Sequence, residues 1–190
     1  PACQACQTLR VDVAKFRPNR SQRRAWKANV DDIEVRIGPP MVSREKLRLY
    51  DRFHARQSDA KGWPEHPPKD MSSYRESFVH NPEFTEEWCY YLRAPAQSGE
   101  VAKSPLVAVG YVDRLRTSMS AIYFFYDPAV RDRSLGTYNV LLMLAECRRR
   151  GLPWLYLGYY VKGCQSLEYK GNFRHNQVVT PRGTWCEFLQ

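Results

Sequence analysis

The sequence predicts an α+β fold whose mixed, mostly antiparallel sheet is flanked by helices. Strand patterns follow one another at residues 88–93, 106–115 and 119–126, which is typical of an antiparallel meander. A strong helical pattern then leads into a nearly continuous apolar run at residues 154–161. Such a run predicts a central strand that is buried on both faces. Strand, helix and strand in succession predict a parallel crossover beside the meander.

Residues 1–42 are predicted to form a small N-terminal unit. Alternating apolar residues predict strands at residues 9–13 and 33–37, and Ser21 is the predicted cap of a short helix between them. A Gly-Pro-Pro sequence then ends the unit. We therefore divide the chain into an N-terminal unit, residues 1–42, and a second domain, residues 43–190.

The second domain begins with helical patterns at residues 43–57 and 72–80, which lie on either side of a proline-rich loop. The helix predicted at residues 134–150 is apolar on more than one side, so we expect it to be largely buried. Ser134 is its predicted cap, and Gly151 supplies a left-handed residue at its end.

The chain is basic, because Lys and Arg outnumber Asp and Glu by 29 to 20 and give a net charge of +9. A basic surface favours an anionic partner, nucleic acid first, although it also serves solubility. No apolar run reaches the roughly 18 residues of a membrane-spanning helix. Of the six cysteines, only the first two are close together and the other four are scattered, as in a reduced protein. We expect a cytoplasmic monomer with no membrane partner.

The turn that precedes the buried helix is a candidate anion site. Free backbone N–H groups and the positive end of the helix dipole meet there, and Arg131 and Arg133 add charge. In GNAT acyltransferases a glycine-rich turn at this place holds a pyrophosphate. The spacing of Arg131, Ser134 and Gly136 resembles that turn, with Ser134 in place of the first glycine. The alternative is an ordinary helix cap with solvated arginines.

Arg23 and Arg24 are a second candidate anion site. If Ser21 caps their helix, both cations lie in the first turn and oppose the helix dipole. Local rules of this kind tend to be broken at functional sites, and a docked phosphate or carboxylate would make the arrangement favourable. The alternative is a frayed helix end with solvated arginines.

The apolar strand at residues 154–161 carries a third group of candidates. Gly158 weakens a buried strand unless another backbone or a ligand approaches closely. Tyr159 and Tyr160 beside it could stack on a ligand or donate hydrogen bonds, or they could be core aromatics. Lys170, shortly after the strand, could pair with a carboxylate or lie in a solvated loop.

Cys3 and Cys6 have the spacing of metal ligands. They supply only two ligands, so the motif is a half site that needs another pair from elsewhere. Because the chain starts at Pro1, just before this motif, we expect that an N-terminal segment is missing.

A series of short segments follows in order along the chain. The segments are Cys3-Gln-Ala-Cys6, Phe16-Arg-Pro-Asn-Arg-Ser-Gln-Arg-Arg24, Tyr126-Asp-Pro128, Ser134-Leu-Gly-Thr137, Gly151-Leu-Pro-Trp-Leu-Tyr-Leu-Gly-Tyr159, Gly163-Cys164, and Tyr169-Lys170 with Phe173. Taken together, the series resembles the arginyl-tRNA–protein transferase family, and within it the bacterial aspartate/glutamate leucyltransferase branch. The resemblance covers almost the whole chain.

The resemblance implies a cysteine-bearing N-terminal unit followed by a GNAT-like domain. It implies transfer of leucine from leucyl-tRNA to the N-terminal Asp or Glu of proteins, the entry step of an N-degron pathway. The chemistry then needs no cofactor, although the full-length protein could hold an iron–sulfur cluster or zinc at its N-terminal cysteines. Gln7 or Thr8 stands where bacterial members often have cysteine.

Three different functions stay open at this point. The donor could be arginyl-tRNA, the enzyme could be an acetyl-CoA-dependent acyltransferase on the same fold, or the chain could be a non-catalytic tRNA-binding module.

The resemblance also suggests roles for individual residues. The predicted catalytic residues are Asp127 or Glu168 as proton acceptor, together with Tyr159. The aminoacyl pocket is assigned to Tyr126, Tyr159 and Tyr160, beside Gly158 and Tyr169. The tRNA end is assigned to Arg131, Arg133, Ser134 and Gly136, and the carboxylate of the acceptor to Arg23, Arg24 or Lys170.

Overall fold

The protein is described here by a computed structural model, which covers residues 5–65, 67–80, 83–93 and 104–188. In chain order the elements are β1 Gln7–Asp12, α1 Arg20–Lys27, β2 Ile33–Gly38, α2 Arg44–Lys61, α3 Met71–Phe78, β3 Thr85–Leu92, β4 Leu106–Arg114, β5 Ser118–Tyr126, α4 Leu135–Arg149, β6 Trp154–Tyr160, α5 Gln165–Glu168, β7 Asn176–Val179 and β8 Trp185–Glu187. Two short 3₁₀ helices span Pro128–Arg133 and Tyr169–Asn172.

The strands form one eight-stranded sheet in the order β2-β3-β4-β5-β6-β1-β7-β8. Neighbours pair antiparallel except β5 and β6, which are parallel and are connected through α4. The predicted α+β class, the meander β3-β4-β5 and the crossover to β6 are therefore confirmed.

The sheet continues across the boundary predicted at residue 42. β1 lies between β6 and β7, and β2 pairs with β3 at one edge. The division into residues 1–42 and 43–190 stays a prediction, although strands from both parts share one sheet. Cys3 lies outside the described residues, and Cys6 is an exposed free thiol.

The two faces of the sheet pack against different helices. Trp88 and Tyr90 of β3 lie in the core beneath α4, whereas Cys89 between them lies in the core beneath α2 and α3. Successive side chains of a strand point to opposite faces, so one strand serves both cores. Helix α1 packs against α4 on the first face. No helix in the described ranges is long and apolar enough to cross a membrane.

The sequence predicts that strand β6 is buried on both faces, and this prediction is wrong. The strand is central in the sheet, but one of its faces is only partly covered. Leu155 and Leu157 are buried, whereas Tyr156 is half-buried. The guanidinium carbon of Arg10 lies 3.7 Å from the centre of the Trp154 ring. A cation stacked on an aromatic ring thus covers the start of this strand on its more open face.

Helix α1 begins two residues earlier than predicted, so the expected role of Ser21 as cap is wrong. The side chain of Asn19 accepts a hydrogen bond from Gln22 N at 2.9 Å, and the Gln22 side chain accepts one from Asn19 N at 2.9 Å. This reciprocal capping box satisfies two backbone donors. It places Arg20 in the first turn and Arg24 in the last turn, where a cation is favourable.

A buried ion pair joins α2 to the sheet. Lys46 Nζ contacts Glu87 Oε1, and both side chains are almost wholly buried. The other carboxylate oxygen of Glu87 accepts a hydrogen bond from Tyr111 Oη at 2.8 Å, and Tyr74 Oη lies 2.7 Å from Tyr111 Oη. The network links α2, α3, β3 and β4.

We expect Lys46→Met to lower the free energy of unfolding by about 3 to 5 kcal/mol, because it leaves the Glu87 carboxylate buried without its cation. Chemical denaturation of the purified protein measures this change. The double variant Lys46→Met/Glu87→Leu removes both charges and should recover most of the loss. A single variant that loses less than about 1 kcal/mol would contradict the role given to this pair.

Candidate active site

The parallel strands β5 and β6 separate soon after they begin. Their pairing covers Ser118–Ser120 of β5 and 154–156 of β6, and β5 then continues to Tyr126 without β6 as a partner. Backbone groups that would pair within a continuous sheet are thus available at a gap between two central strands.

A bulge in each strand accompanies the gap. In β5, Ile122 is an extra residue against β4, and in β6, Leu157 is an extra residue against β1. Gly158 follows with a φ of 75°. Bulges bend a strand and increase its twist, so a bulge on each side of the gap directs the two strands apart.

A cleft of roughly 580 Å³ lies at this gap, and Ile122 and Leu157 are part of its wall. Phe53, Gln57 and Lys61 of α2 line it from one side of the sheet, and the first turns of α4 line it from the other. Elements from both layers of the fold therefore meet here because the sheet between them is open.

The charges along the cleft have one sign. Lys61, Arg131 and Lys170 are the charged residues among the described lining residues, and no carboxylate is among them. Lys170 Nζ donates a hydrogen bond to the Tyr159 carbonyl at 3.0 Å, and burial lowers the pKa of Lys170. The arrangement suits a ligand that carries negative charge.

The entrance to α4 is built differently from the sequence prediction. Ser134 has a φ of 54°, the only positive φ among the described non-glycine residues, and its side chain makes no capping hydrogen bond. The 3₁₀ helix Pro128–Arg133 runs directly into α4, so Ser134 turns the chain between them with its backbone. In the described structure, the N–H groups of residues 135–137 have no acceptor within the protein.

The C-terminal model of the arginine-tRNA-protein transferases matches residues 45–180. An aspartate/glutamate leucyltransferase of Halorhodospira halophila is 38% identical over 191 residues, which cover 96% of this chain and 72% of that protein. Its counterpart from Stenotrophomonas maltophilia is 34% identical over 186 residues, which cover 98% of this chain and 70% of that protein. The chain belongs to the arginine-tRNA-protein transferase family.

Solved structures resemble this transferase in fold at low sequence identity. L-PGS from Bacillus licheniformis has a TM-score of 0.58 at 10% identity, over 96% of this chain and 58% of that one. FemX has a TM-score of 0.54 at 11% identity, over 80% of this chain and 52% of that one. The GCN5-related glucosamine N-acetyltransferase region of a fungal β-N-acetylglucosaminidase has a TM-score of 0.52 at 10% identity, over 96% of this chain and 20% of that one. The GNAT-like fold is thereby confirmed, and this chain spans just over half of the first two proteins.

The cleft of the transferase brings together about half of the residues that the sequence singles out. Gly158 lies beside it, because a Cβ at this position would be 3.6 Å from Lys170 Nζ. The predicted residues that line the cleft are Tyr126, Arg131, Ser134, Gly136, Tyr169 and Lys170.

The predicted proton acceptors do not line the cleft. Asp127 accepts a hydrogen bond from Ala129 N at 3.0 Å and forms an ion pair with Arg52 at 2.7 Å. Glu168 accepts a hydrogen bond from Gly163 N at 3.3 Å. Both carboxylates thus hold local structure next to the cleft.

Three predicted residues on the first face lie apart from the cleft. Arg133 donates hydrogen bonds to the Ala28 carbonyl at 2.8 Å and to Asp32 at 2.9 Å. Arg23 donates to the Pro18 carbonyl at 2.6 Å, and Arg24 is exposed on α1.

The two tyrosines at the end of β6 also lie outside the cleft wall. Tyr159 is 57% exposed, and its carbonyl accepts the hydrogen bond from Lys170. Tyr160 is buried, and its ring packs edge-on against Phe188 with 4.6 Å between the ring centres.

Sequence reasoning missed the contribution of α2. Phe53, Gln57 and Lys61 follow one another at intervals of four residues, so they share one face of the helix. The signal in the sequence was a glutamine on the buried face of a helix, one turn after an aromatic residue and one turn before a lysine.

We expect Gly158→Ala to lower the free energy of unfolding by about 1 to 2 kcal/mol, because an L residue with a side chain is strained at positive φ. Chemical denaturation measures the loss. Gly136→Ala is the matched control, since its φ is negative and nothing lies within 4 Å of the added Cβ. The control should be neutral or slightly stabilising in the helix, and equal effects of both variants would refute the assignment of strain to Gly158.

Proposed function

We propose that this chain transfers leucine from leucyl-tRNA to the N-terminal Asp or Glu of proteins. The observation that carries the proposal is the cleft at the gap between β5 and β6, with three cations and no carboxylate among its described lining residues. Both substrates bring negative charge to this place, as tRNA phosphates and as the acceptor's carboxylate. The names of the relatives favour leucine as the transferred group and Asp or Glu as the acceptor.

The reaction needs positioning more than activation. The α-amine of the acceptor attacks the ester carbonyl carbon, a C–N bond forms, the C–O bond to the tRNA breaks, and the tRNA hydroxyl leaves with a proton. An α-amine pKa of roughly 8 leaves a fraction neutral at pH 7. The enzyme therefore contributes mainly by holding the two groups together and stabilising the oxyanion. Such chemistry requires no cofactor.

The N-terminus of α4 and Arg131 are suited to hold a phosphate of the tRNA end. The N–H groups of residues 135–137 point out of the helix without protein acceptors in the described structure, and Arg131 lies beside them. Lys61 and Lys170 are then left for the carboxylate of the acceptor. Asp127 and Glu168 stay predictions for the proton acceptor, reached through water.

Helix α1 is suited to carry the tRNA along the cleft. Its N-terminal end is held by a hydrogen bond from Gln22 Nε2 to the Asn172 carbonyl, two residues after Lys170. Beyond its C-terminal end, Asn29 Nδ2 donates to the Arg133 carbonyl, next to Ser134. Residues 13–30 contain no Asp or Glu. The exposed cations of this stretch are Lys15, Arg17, Arg20, Arg23, Arg24 and Lys27.

We also propose that the transferase acts as a cytoplasmic monomer, because charged tRNA is present in that compartment and the described residues of a single chain line the cleft from both faces of the sheet.

The reaction itself is tested with radiolabelled leucyl-tRNA or arginyl-tRNA and peptides that begin with Asp, Glu or Ala. We expect leucine on the Asp and Glu peptides and on no other. Arginine transfer would keep the family and change the donor. Peptide acetylation from acetyl-CoA would instead make the chain an acetyltransferase. Binding of tRNA without transfer from either donor would make it a tRNA-binding module.

The tRNA path is tested by replacing Arg20, Arg24 and Lys27 with glutamine together. We expect the KM for leucyl-tRNA to rise by about tenfold or more and the slope of log affinity against log salt to fall by roughly 2 to 3. The KM for the peptide should not change. The triple replacement of Arg44, Arg48 and Arg75 removes the same charge from exposed positions on the opposite face of the sheet. If both triple variants weaken tRNA binding equally, α1 has no specific role.

A further inference from the structure

Gln57 has an unusual environment for a glutamine. It lies in the third quarter of α2, is 7% exposed, and forms part of the cleft wall. Its side-chain oxygen is buried and accepts no hydrogen bond in the described part of the chain. Its amide nitrogen is not among the buried unpaired atoms, and it donates no hydrogen bond there either. A buried polar group without a partner lowers the stability of the folded chain.

Two other buried amides show what a structural role looks like. Asn29 and Asn176 also have an unpaired oxygen, but their nitrogens are bonded to backbone carbonyls. Asn29 Nδ2 lies 2.7 Å from the Ala25 carbonyl, and Asn176 Nδ2 lies 2.9 Å from the Gly171 carbonyl. Gln57 has no such bond, so its amide supports no other element of the described fold.

The cleft limits what the missing partner can be. The charged groups on its described wall are cations, which cannot accept hydrogen bonds. The other amide oxygen on this wall, that of Asn139, already accepts a hydrogen bond from Tyr90 Oη. No group on the described wall pairs with the Gln57 oxygen. A half-turn about the last side-chain bond exchanges the buried oxygen with the less buried amide nitrogen, and this turn breaks no hydrogen bond. The turned carbonyl oxygen is then the amide acceptor that is left for an N–H donor of a ligand.

The position of Gln57 on its helix selects the donor. Lys61 follows it by one turn on the same face, and side chains at this spacing begin about 5 to 6 Å apart. This spacing is of the order of the distance between the α-amine and the side-chain carboxylate of one Asp or Glu residue. A single acceptor residue can thus span both side chains.

We propose that Gln57 binds the N-terminal α-amino group of the acceptor protein, while Lys61 binds its side-chain carboxylate. The inference rests on the proposed function and names the residue that holds the nucleophile. A hydrogen bond from one amine hydrogen to the Gln57 oxygen fixes the direction of the lone pair, which must face the ester carbonyl carbon. Gln57 would contribute to acceptor binding and would leave binding of the tRNA unchanged.

The inference predicts an unusual combination of effects for Gln57→Leu. The melting temperature should stay equal or rise, because an unpaired buried amide is replaced by an apolar side chain. The KM for an Asp-initiated peptide should rise at least tenfold, and the KM for leucyl-tRNA should stay within twofold. Thr85→Val is the matched control, since the buried Thr85 hydroxyl donates to Asp113 at 2.6 Å on the far end of β3. This control should melt at a lower temperature and keep both KM values.

Direct binding separates this inference from the proposed reaction. Calorimetry on the full chain compares an Asp-initiated peptide with the same peptide after N-terminal acetylation. The wild type should bind the free amine at least tenfold more tightly, and Gln57→Leu should remove that preference. An unchanged preference in Gln57→Leu, a lower melting temperature with unchanged peptide KM, or a raised KM for leucyl-tRNA alone would each overturn the inference. Failure of leucine transfer in the wild type would reject the reaction while the peptide comparison still tests Gln57.

Discussion

The site depends on one interruption of backbone hydrogen bonding, because parallel strands β5 and β6 stop pairing after Ser120 and Tyr156. A continuous sheet would separate the layer of α2 from the layer of α4. Bulges at Ile122 and Leu157 turn the two strands apart, and the left-handed backbone at Gly158 allows the second strand to follow that path. The cleft exists because two central strands stop pairing with each other partway along the sheet.

The gap also explains why residues far apart in sequence share one site. Helix α2 reaches the cleft from one face, the first turn of α4 reaches it from the other, and the segment after β6 closes one end through Lys170. Helices α2 and α4 both pack on the sheet, so one sheet holds the contributors to the cleft in place relative to one another. This suits a reaction in which an activated ester and an amine need only be brought together.

The elements that the sequence predicts well are those with local periodicity, such as β3, β4, β5 and α4. The insertion of β1 between β6 and β7 leaves no local pattern, because it depends on pairing between distant segments. Of the residues predicted for the site, those next to a turn can line the cleft, as Arg131 and Lys170 do. Tyr160 lies outside the cleft wall, and periodicity does not reveal which face of a bulged strand a ring occupies. Gln57 gives only a weak sequence signal, because what distinguishes it is the hydrogen-bond partner that it lacks.

Three unfavourable features meet at the cleft: the buried charge of Lys170, the unpaired amide of Gln57 and the left-handed backbone of Ser134. An anionic substrate with a free amine would relieve the first two. Burial lowers the pKa of Lys170, so the charged side chain opposes folding at every pH below its folded pKa. This destabilisation disappears only as the pH rises past the ordinary pKa of lysine. A carboxylate bound beside Lys170 raises its pKa again, and an amine bound at Gln57 supplies the missing donor. The left-handed backbone of Ser134 is not relieved in this way, but it starts α4 at the cleft, where residues 135–137 line the wall and their N–H groups have no acceptor in the described structure. Stability is thus lowered at the groups that substrate would contact, as expected of a site built for binding and not for packing.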